Sequence, residues 1–366
     1  MKKKVLFVAY NMAIGGIHTA LINFLQVMDE KCADQYEVDL FTFGKGALMP
    51  QIPKSVRVVC GNELLELSAY SFYDVLQSKN LWNIFLRCLM MIYVRIVGSD
   101  RFYRAMFKQH RFDEEYDHAI SFFNDVPRNY FNRGTNLYVS DFVKAKEKIA
   151  WIHTDPIKMH FDAQECRKTY RDFDQIFCVS QAVKQKFDQL LPEYAFKTKV
   201  VYNQFSEKRI LSQSLEYIPF RKDKDYCIVT VGRVDNSSKR IDGIVRVCAR
   251  LRNEGISGFR WYIVGNGPDL PSNQLLAQEL GVSELIFFEG EKTNPFPYIK
   301  HADLFALYSA FEGFPMVIGE AQALETFILT TNYAAAREQI TEKQGIIAET
   351  DEEFYQELKR LILCRN

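Results

Sequence analysis

The chain has 366 residues, 48% hydrophobic and 25% charged, an ordinary folding composition of a length that suggests two domains. Lys+Arg and Asp+Glu are equal at 46 each, so the formal net charge is zero, which argues against a general polyanion binder and leaves only local patches to consider. The eight cysteines (Cys32, Cys60, Cys88, Cys166, Cys178, Cys227, Cys248 and Cys364) are dispersed without a C-x-x-C pair, the pattern of free thiols in a reducing cytosol.

The first apolar run, Val5 to Ala9, is short, and polar Asn11 and the Gly15-Gly16 pair follow it. It reads as a buried first strand rather than a leader. Helical spacing continues through Leu21, Ile22, Leu25 and Met28. Strands are expected at Tyr36 to Phe43, Val56 to Cys60, His118 to Phe122, Lys148 to Ile152 and Gln175 to Val179. The longest apolar-rich stretch, Leu81 to Val97, is interrupted by Asn83, Arg87 and Arg95 and does not read as a membrane span. From Leu81 to Phe112, Arg87, Arg95, Arg101, Arg104, Lys108 and Arg111 stand against one acid, Asp100. Trp82, Phe85, Tyr93, Phe102, Tyr103 and Phe107 are interleaved with them. Two readings stay open here: helices lying on an anionic membrane surface, or a buried helix pair with a solvated basic rim. No nucleic-acid module is recognisable.

After a polar, irregular stretch from Asn203 to Asp225 the pattern restarts, which places a domain boundary near 203–222. Strands are expected at Tyr226 to Val231, Arg260 to Val264, Leu285 to Phe288, Asp303 to Leu307 and Phe327 to Thr330. Helices are expected from Ile241 to Asn253, from about Met316, and from Asp351 to Leu363. Alternating strands and helices in both halves predict parallel α/β sheets. The domains are 1–203, 204–350 and a helix at 351–366 packing back toward the amino-terminal half. An active cleft is expected between the halves.

Four segments carry chemistry at expected strand ends, where open α/β sheets bind ligands. Asn11 to Gly16 puts glycines before a helix, so backbone amides and the helix dipole can meet a phosphate. Trp151-Ile152-His153-Thr154-Asp155 closes another strand, with His160 nearby. Arg233 ends a strand and Lys239 follows six residues later, a guanidinium fork and a point charge suited to a diphosphate. Phe311-Glu312-Gly313-Phe314-Pro315 leads into a helix that carries Glu320, so two carboxylates lie eight positions apart.

Together these motifs resemble the retaining glycosyltransferases of family four, the glycosyl transferases group 1 of bacterial envelope or capsular polysaccharide synthesis. The order holds across residues 1 to 340, strongest from 226 to 340 and looser from 30 to 145, as an acceptor-reading part would be. The resemblance implies the GT-B fold, two Rossmann-like domains facing across a cleft. It also implies transfer of a hexose-type sugar, with retention, from a nucleoside diphosphate sugar to an acceptor hydroxyl. Glu312 would contact the sugar and Glu320 the ribose. Arg233 and Lys239 would clamp the diphosphate, helped by the Gly15 and Gly16 amides, and His153 would approach the sugar. Gly265, in Val264-Gly265-Asn266-Gly267-Pro268, would shape the nucleotide pocket, and Glu291 and Lys292 would lie on the loop that reads the base. The Gly313, Phe314 and Pro315 backbone would meet sugar or phosphate. The catalytic set implied is Glu312, His153, Arg233 and Lys239. Two departures are visible: His18 stands where the family has Glu, and Arg240 where it has Gly.

No cofactor is implied beyond the donor, with a UDP-sugar favoured, and no His/Cys cluster suggests a metal. The acceptor implied is a glycan or lipid-linked glycan at the cytoplasmic face of a membrane, with no nucleic acid as partner. A nucleotide-sugar epimerase, an inverting transferase and a non-catalytic nucleotide-sugar-binding protein are the alternatives.

Overall fold

A computed structural model describes residues 2–125, 134–221 and 224–364. They form two compact units, 1–204 and 205–366. The first is built on strands β1 (Lys3–Ala9), β2 (Tyr36–Thr42), β3 (Arg57–Cys60), β4 (Glu115–Ser121), β5 (Lys144–Ile152), β6 (Gln175–Cys178) and β7 (Thr198–Val200). All pair in parallel, in the order β3-β2-β1-β4-β5-β6-β7. The second holds β8 (Tyr226–Val231), β9 (Phe259–Val264), β10 (Ile286–Gly290), β11 (Leu304–Leu307), β12 (Ile328–Thr331) and β13 (Gly345–Ala348). These too are parallel, in the order β10-β9-β8-β11-β12-β13.

The central strands are continuous apolar runs because helices cover both faces of a parallel sheet. Val5 to Ala9 in β1 and all of β8 are buried. Chain order reverses between β1 and β4 and again between β8 and β11. At such a point the connections leave toward opposite sides, so a crevice opens at the carboxyl edge of the sheet. The loops after β1, β8 and β11 are the ones carrying Gly15-Gly16, Arg233 and Glu312.

Local sequence explains the helices. Ile241–Asn253 buries Ile241, Ile244, Val245, Cys248 and Leu251, spaced by three and four, against Trp261 and Ile263 of β9. Asp351–Leu363 is capped by Thr350, whose hydroxyl accepts the Glu353 amide at 3.1 Å. Its Phe354, Tyr355, Leu358 and Ile362 complete the core of the second unit. Its apolar face packs on β12 and β13. The stretch 203–225 is also less irregular than its polarity suggested. Ser206 caps a helix, Glu207–Gln213, which buries Ile210.

Of the two readings for residues 81–112, the structure splits the segment. The helix Ser99–Phe107 buries Phe102, Tyr103 and Phe107. The helix Leu81–Val97 buries only Arg87, Met90 and Val94 and turns its larger apolar side outward. Gly98, at φ 93°, makes the 116° bend between them. Among the described residues no single helix is long and apolar enough to cross a membrane.

Candidate active site

In the second unit three loops run side by side. The Gly232 amide donates to the Val264 carbonyl at 3.0 Å, Val234 to Asn266 at 3.0 Å, and Gly265 to Gly290 at 2.9 Å. The segments 232–234, 265–267 and 290–292 therefore form one backbone platform beyond β8, β9 and β10. Its closeness demands glycine. A Cβ on Gly265, whose φ is 155°, would lie 1.8 Å from the Gly232 carbonyl oxygen, and one on Gly267 would lie 2.2 Å from that of Val234. Backbone atoms on both sides leave no side chain to move aside. Gly265→Ala is expected to destabilise the protein by at least ~2 kcal/mol in urea unfolding. Wild-type stability in that variant would refute the packing described.

The polar side chains meet on this platform. Lys239 crosses Gly232, whose added Cβ would lie 3.3 Å from its Cε, and its ammonium pairs with Glu312 Oε1. Ser309 donates to the same oxygen at 2.7 Å. Both members of the pair are largely buried, at 17% and 13% side-chain exposure. The loops after β8 and β11 are also joined through backbone, since Ala310 donates to the Ser238 carbonyl at 2.8 Å. Arg233 is exposed and has no ion-pair partner among the described residues. Lys239, on the loop that also carries Arg233, thus meets Glu312 at the β8/β11 reversal. Lys239 and Glu312 are in contact, and Arg233 is left to solvent.

Beyond Glu312, Gly313 and Pro315 are buried and Phe314 is half-buried. Pro315 precedes the helix Met316–Ala323, and its carbonyl accepts Gln339 Nε2 at 3.2 Å. Glu320 lies one turn in and is 2% exposed. Burial pushes its carboxyl up to about 7, with the Arg209 guanidinium pulling the other way. Arg209 comes from the helix Glu207–Gln213, donates to Gln213 Oε1 at 3.0 Å and lies 5.1 Å from the Phe296 ring centre. Gly319 lets that helix approach, because a Cβ there would meet the Phe205 ring at 2.2 Å. Glu291 is exposed, and Lys292 is half-buried with its ammonium 6.0 Å from the Tyr298 ring centre.

The first unit presents its own candidates at its carboxyl edge. Gly15 is the N-cap and Gly16 the first residue of the helix Gly16–Cys32. Nothing lies within 4 Å of a Cβ added to Gly16, so space is open over this helix start. His18 packs its ring 4.8 Å from that of Phe123. His153 is 9% exposed, with its amide donating to Asn124 Oδ1 at 2.8 Å and its ring stacked on Trp151 at 5.7 Å and tilted against Phe122 at 4.6 Å. Asp155 is committed to the fold: one oxygen accepts the Ile157 and Lys158 amides at 3.0 and 3.1 Å, and the other pairs with Lys186.

Sequence reasoning missed Ser309 and Arg209. Ser309 was legible in principle, since Ser-x-x-Glu before an apolar run is a local capping signature. Arg209 carried no signal: it sits in the stretch read as linker, and only folding brings it to Glu320.

The family model described as "Glycosyl transferases group 1" matches residues 216–366. Over 170 residues the chain is 30% identical to N-acetylgalactosamine-N,N'-diacetylbacillosaminyl-diphospho-undecaprenol 4-alpha-N-acetylgalactosaminyltransferase of Campylobacter jejuni, covering 45% of this chain and 44% of that one. Over 162 residues it is 29% identical to the lipopolysaccharide 1,6-galactosyltransferase of Salmonella typhimurium, covering 42% and 41%. The chain therefore matches less than half the length of these curated relatives. The structure of Anabaena HepE in complex with UDP-glucose superposes with a TM-score of 0.65 at 17% identity, over 98% of this chain and 90% of that one. The fold is thus GT-B along the whole chain, and residues 216–366 match the glycosyl transferases group 1 family model.

Proposed function

We propose that this protein is a retaining glycosyltransferase that moves a hexose-type sugar from a UDP-sugar to a hydroxyl of a lipid-linked glycan in bacterial cell-surface polysaccharide synthesis. The observation that carries this reading is the meeting of Lys239, Glu312 and the glycine platform at the β8/β11 reversal, with Arg233 exposed beside it. When the bond to the sugar breaks, negative charge grows on the departing diphosphate. Lys239 and Arg233 would stabilise it without a metal. Glu312, freed from Lys239 as the diphosphate arrives, would accept hydrogen bonds from sugar hydroxyls. Glu320 would take the ribose hydroxyls, Gly265, Glu291 and Lys292 would frame the base, and Gly313, Phe314 and Pro315 would border the sugar. Gly15, Gly16 and His153 are the first unit's proposed donor contacts. The relatives' names support the acceptor class: one acts on a diphospho-undecaprenol glycan and one on lipopolysaccharide.

The partner surface proposed for the first unit is an anionic membrane at the cytoplasmic face. Leu81, Trp82, Phe85, Leu89, Ile92 and Ile96 form an outward stripe on one helix, with Leu81 81%, Trp82 64% and Ile96 78% exposed. Exposed Arg95, Arg101 and Lys108 stand nearby. Apolar side chains flanked by cations suit the headgroup boundary of anionic lipid.

Nucleotide sugars carrying each common base, incubated with EDTA and an undecaprenyl-linked glycan extract, test the reaction. Turnover with one base family and an α-linked product from an α-linked donor supports it. Binding without turnover across extracts would favour a non-catalytic binder. For the surface, the triple variant Trp82→Glu, Phe85→Glu, Ile92→Glu is expected to lose about tenfold in affinity for phosphatidylglycerol vesicles. Equal sedimentation of variant and wild type would remove the membrane from the proposal.

A further inference from the structure

Arg240 interrupts the phosphate-clamp motif at the position after Lys239, and the structure shows what holds it there. Its φ is 51° and ψ 45°, the left-handed region that favours glycine. A non-glycine residue persists in that conformation when its surroundings fix it. The guanidinium forks onto Asp351, Nη1 to Oδ1 at 2.9 Å and Nη2 to Oδ2 at 2.6 Å. It lies 4.3 Å from the centre of the Tyr308 ring, and Nη2 also donates to the Tyr308 hydroxyl at 3.3 Å. Asp351 opens the helix Asp351–Leu363, and Tyr308 directly follows β11, one residue before Ser309. The Tyr308 ring is wedged: Phe354 lies 4.7 Å away, and a Cβ on Gly243 would approach it to 2.6 Å.

The adjacent residues 239 and 240 are therefore pinned by different partners. Lys239 reaches Glu312, and Arg240 reaches Asp351 and Tyr308. The Lys239 amide is fixed as well, donating to the Asp235 carbonyl at 2.8 Å, and the Arg240 carbonyl accepts the Ile244 amide at 3.2 Å at the start of the next helix. A bidentate guanidinium–carboxylate pair sets direction as well as distance.

We infer that the Arg240–Asp351 fork, braced by the Tyr308 ring, is a positioning device that replaces the backbone freedom of glycine and fixes the direction in which Lys239 presents its ammonium. Its functional consequence rests on the donor-site reading above. Arg240 does not itself serve the phosphate, because its planar group is turned to the start of the Asp351–Leu363 helix. The device couples that helix start to the loop after β8.

Two measurements on the full chain test it. Hydrogen exchange of the amides 235–240 is read in wild type, Asp351→Asn and Arg240→Ala, with melting temperatures confirming that each variant folds. Exchange in this loop is expected to rise about tenfold in both variants, an opening made cheaper by ~1.4 kcal/mol. Unchanged exchange in folded Asp351→Asn overturns the inference, whatever the protein's function.

The second measurement is UDP and UMP affinity by titration calorimetry. Asp351→Asn is expected to weaken UDP several-fold and leave UMP nearly unchanged, because only UDP brings the second phosphate to Lys239. In a Lys239→Ala background the same change is expected to cost nothing further, since it acts through that ammonium. Equal losses for UDP and UMP, or losses that add fully to those of Lys239→Ala, would make the fork a structural tie only. Absence of UDP binding in the wild type would instead count against the donor-site reading, and the exchange result would still decide the fork.

Discussion

Lys239→Ala is expected to lower kcat by about 10²–10³ while changing the donor KM far less, in line with loss of one preorganised donor to a developing oxyanion. The argument rests on the timing of charge. The ground-state diphosphate already carries its negative charges, but the bridging oxygen gains more only as the sugar leaves. Lys239 crosses Gly232 and pairs with Glu312, so under the proposed function its ammonium stands where that change would occur. In the unliganded protein it neutralises Glu312, and Ser309 is the other hydrogen-bond donor on the same oxygen. The alanine variant thus leaves a largely buried carboxylate with a hydroxyl alone, and a loss of about 1–3 kcal/mol of stability should accompany the loss of rate. Pairing Lys239→Ala with Glu312→Gln should recover part of that stability and none of the rate. Initial-rate kinetics with calorimetric melting measure both, and wild-type kcat in folded Lys239→Ala would sink the assignment.

Glu320 gives the second large effect, in which stability and binding move in opposite directions with pH. Its carboxyl titrates near 7 in the fold, above its ordinary value of 4.5, because burial disfavours the charged form. The folded state therefore holds a proton that the unfolded chain releases. Its stabilising contribution is full below about pH 4.5 and is lost as pH rises through about 7. The shift corresponds to about 3 kcal/mol, so Glu320→Gln should match wild type near pH 4.5 and exceed it by up to that amount near pH 8. Under the proposed function the ionised form is the one that accepts the ribose hydroxyls. Nucleotide affinity should then climb as pH passes 7 in the wild type and stay flat and weak in Glu320→Gln. Urea unfolding and nucleotide titration from pH 5 to about 8 separate the two. A pH-independent stability difference between the proteins would show that Glu320 is ionised in the fold throughout.

How much of this was legible depended on where the determining contacts lie. The helices Ile241–Asn253 and Asp351–Leu363 and the start at Met316 follow from sequence alone, because each writes its apolar face or its stop signal within its own span. β13 was missed because Gly345–Ala348 is four residues without alternation, defined only by pairing with β12. The helix Glu207–Gln213 was hidden by its polarity, with one buried apolar residue, Ile210. The convergence of Lys239 on Glu312, 73 residues apart, could be anticipated because both follow strands at the same sheet edge. The ties of Arg240 to Asp351 and of Glu320 to Arg209 were invisible, since each joins residues 111 positions apart: charge alone names no partner at that distance.

The commitment of the Asp351–Leu363 helix to β12 and β13 has a consequence for heredity. A genetic junction at 204/205 transfers all six strands of the second sheet together with the helix that finishes its core. Lys239, Glu312, Glu320 and the Arg240–Asp351 fork travel in the same parcel. Recombination there would move the platform glycines and these side chains as one inherited block and leave the sequence of the other half free to change.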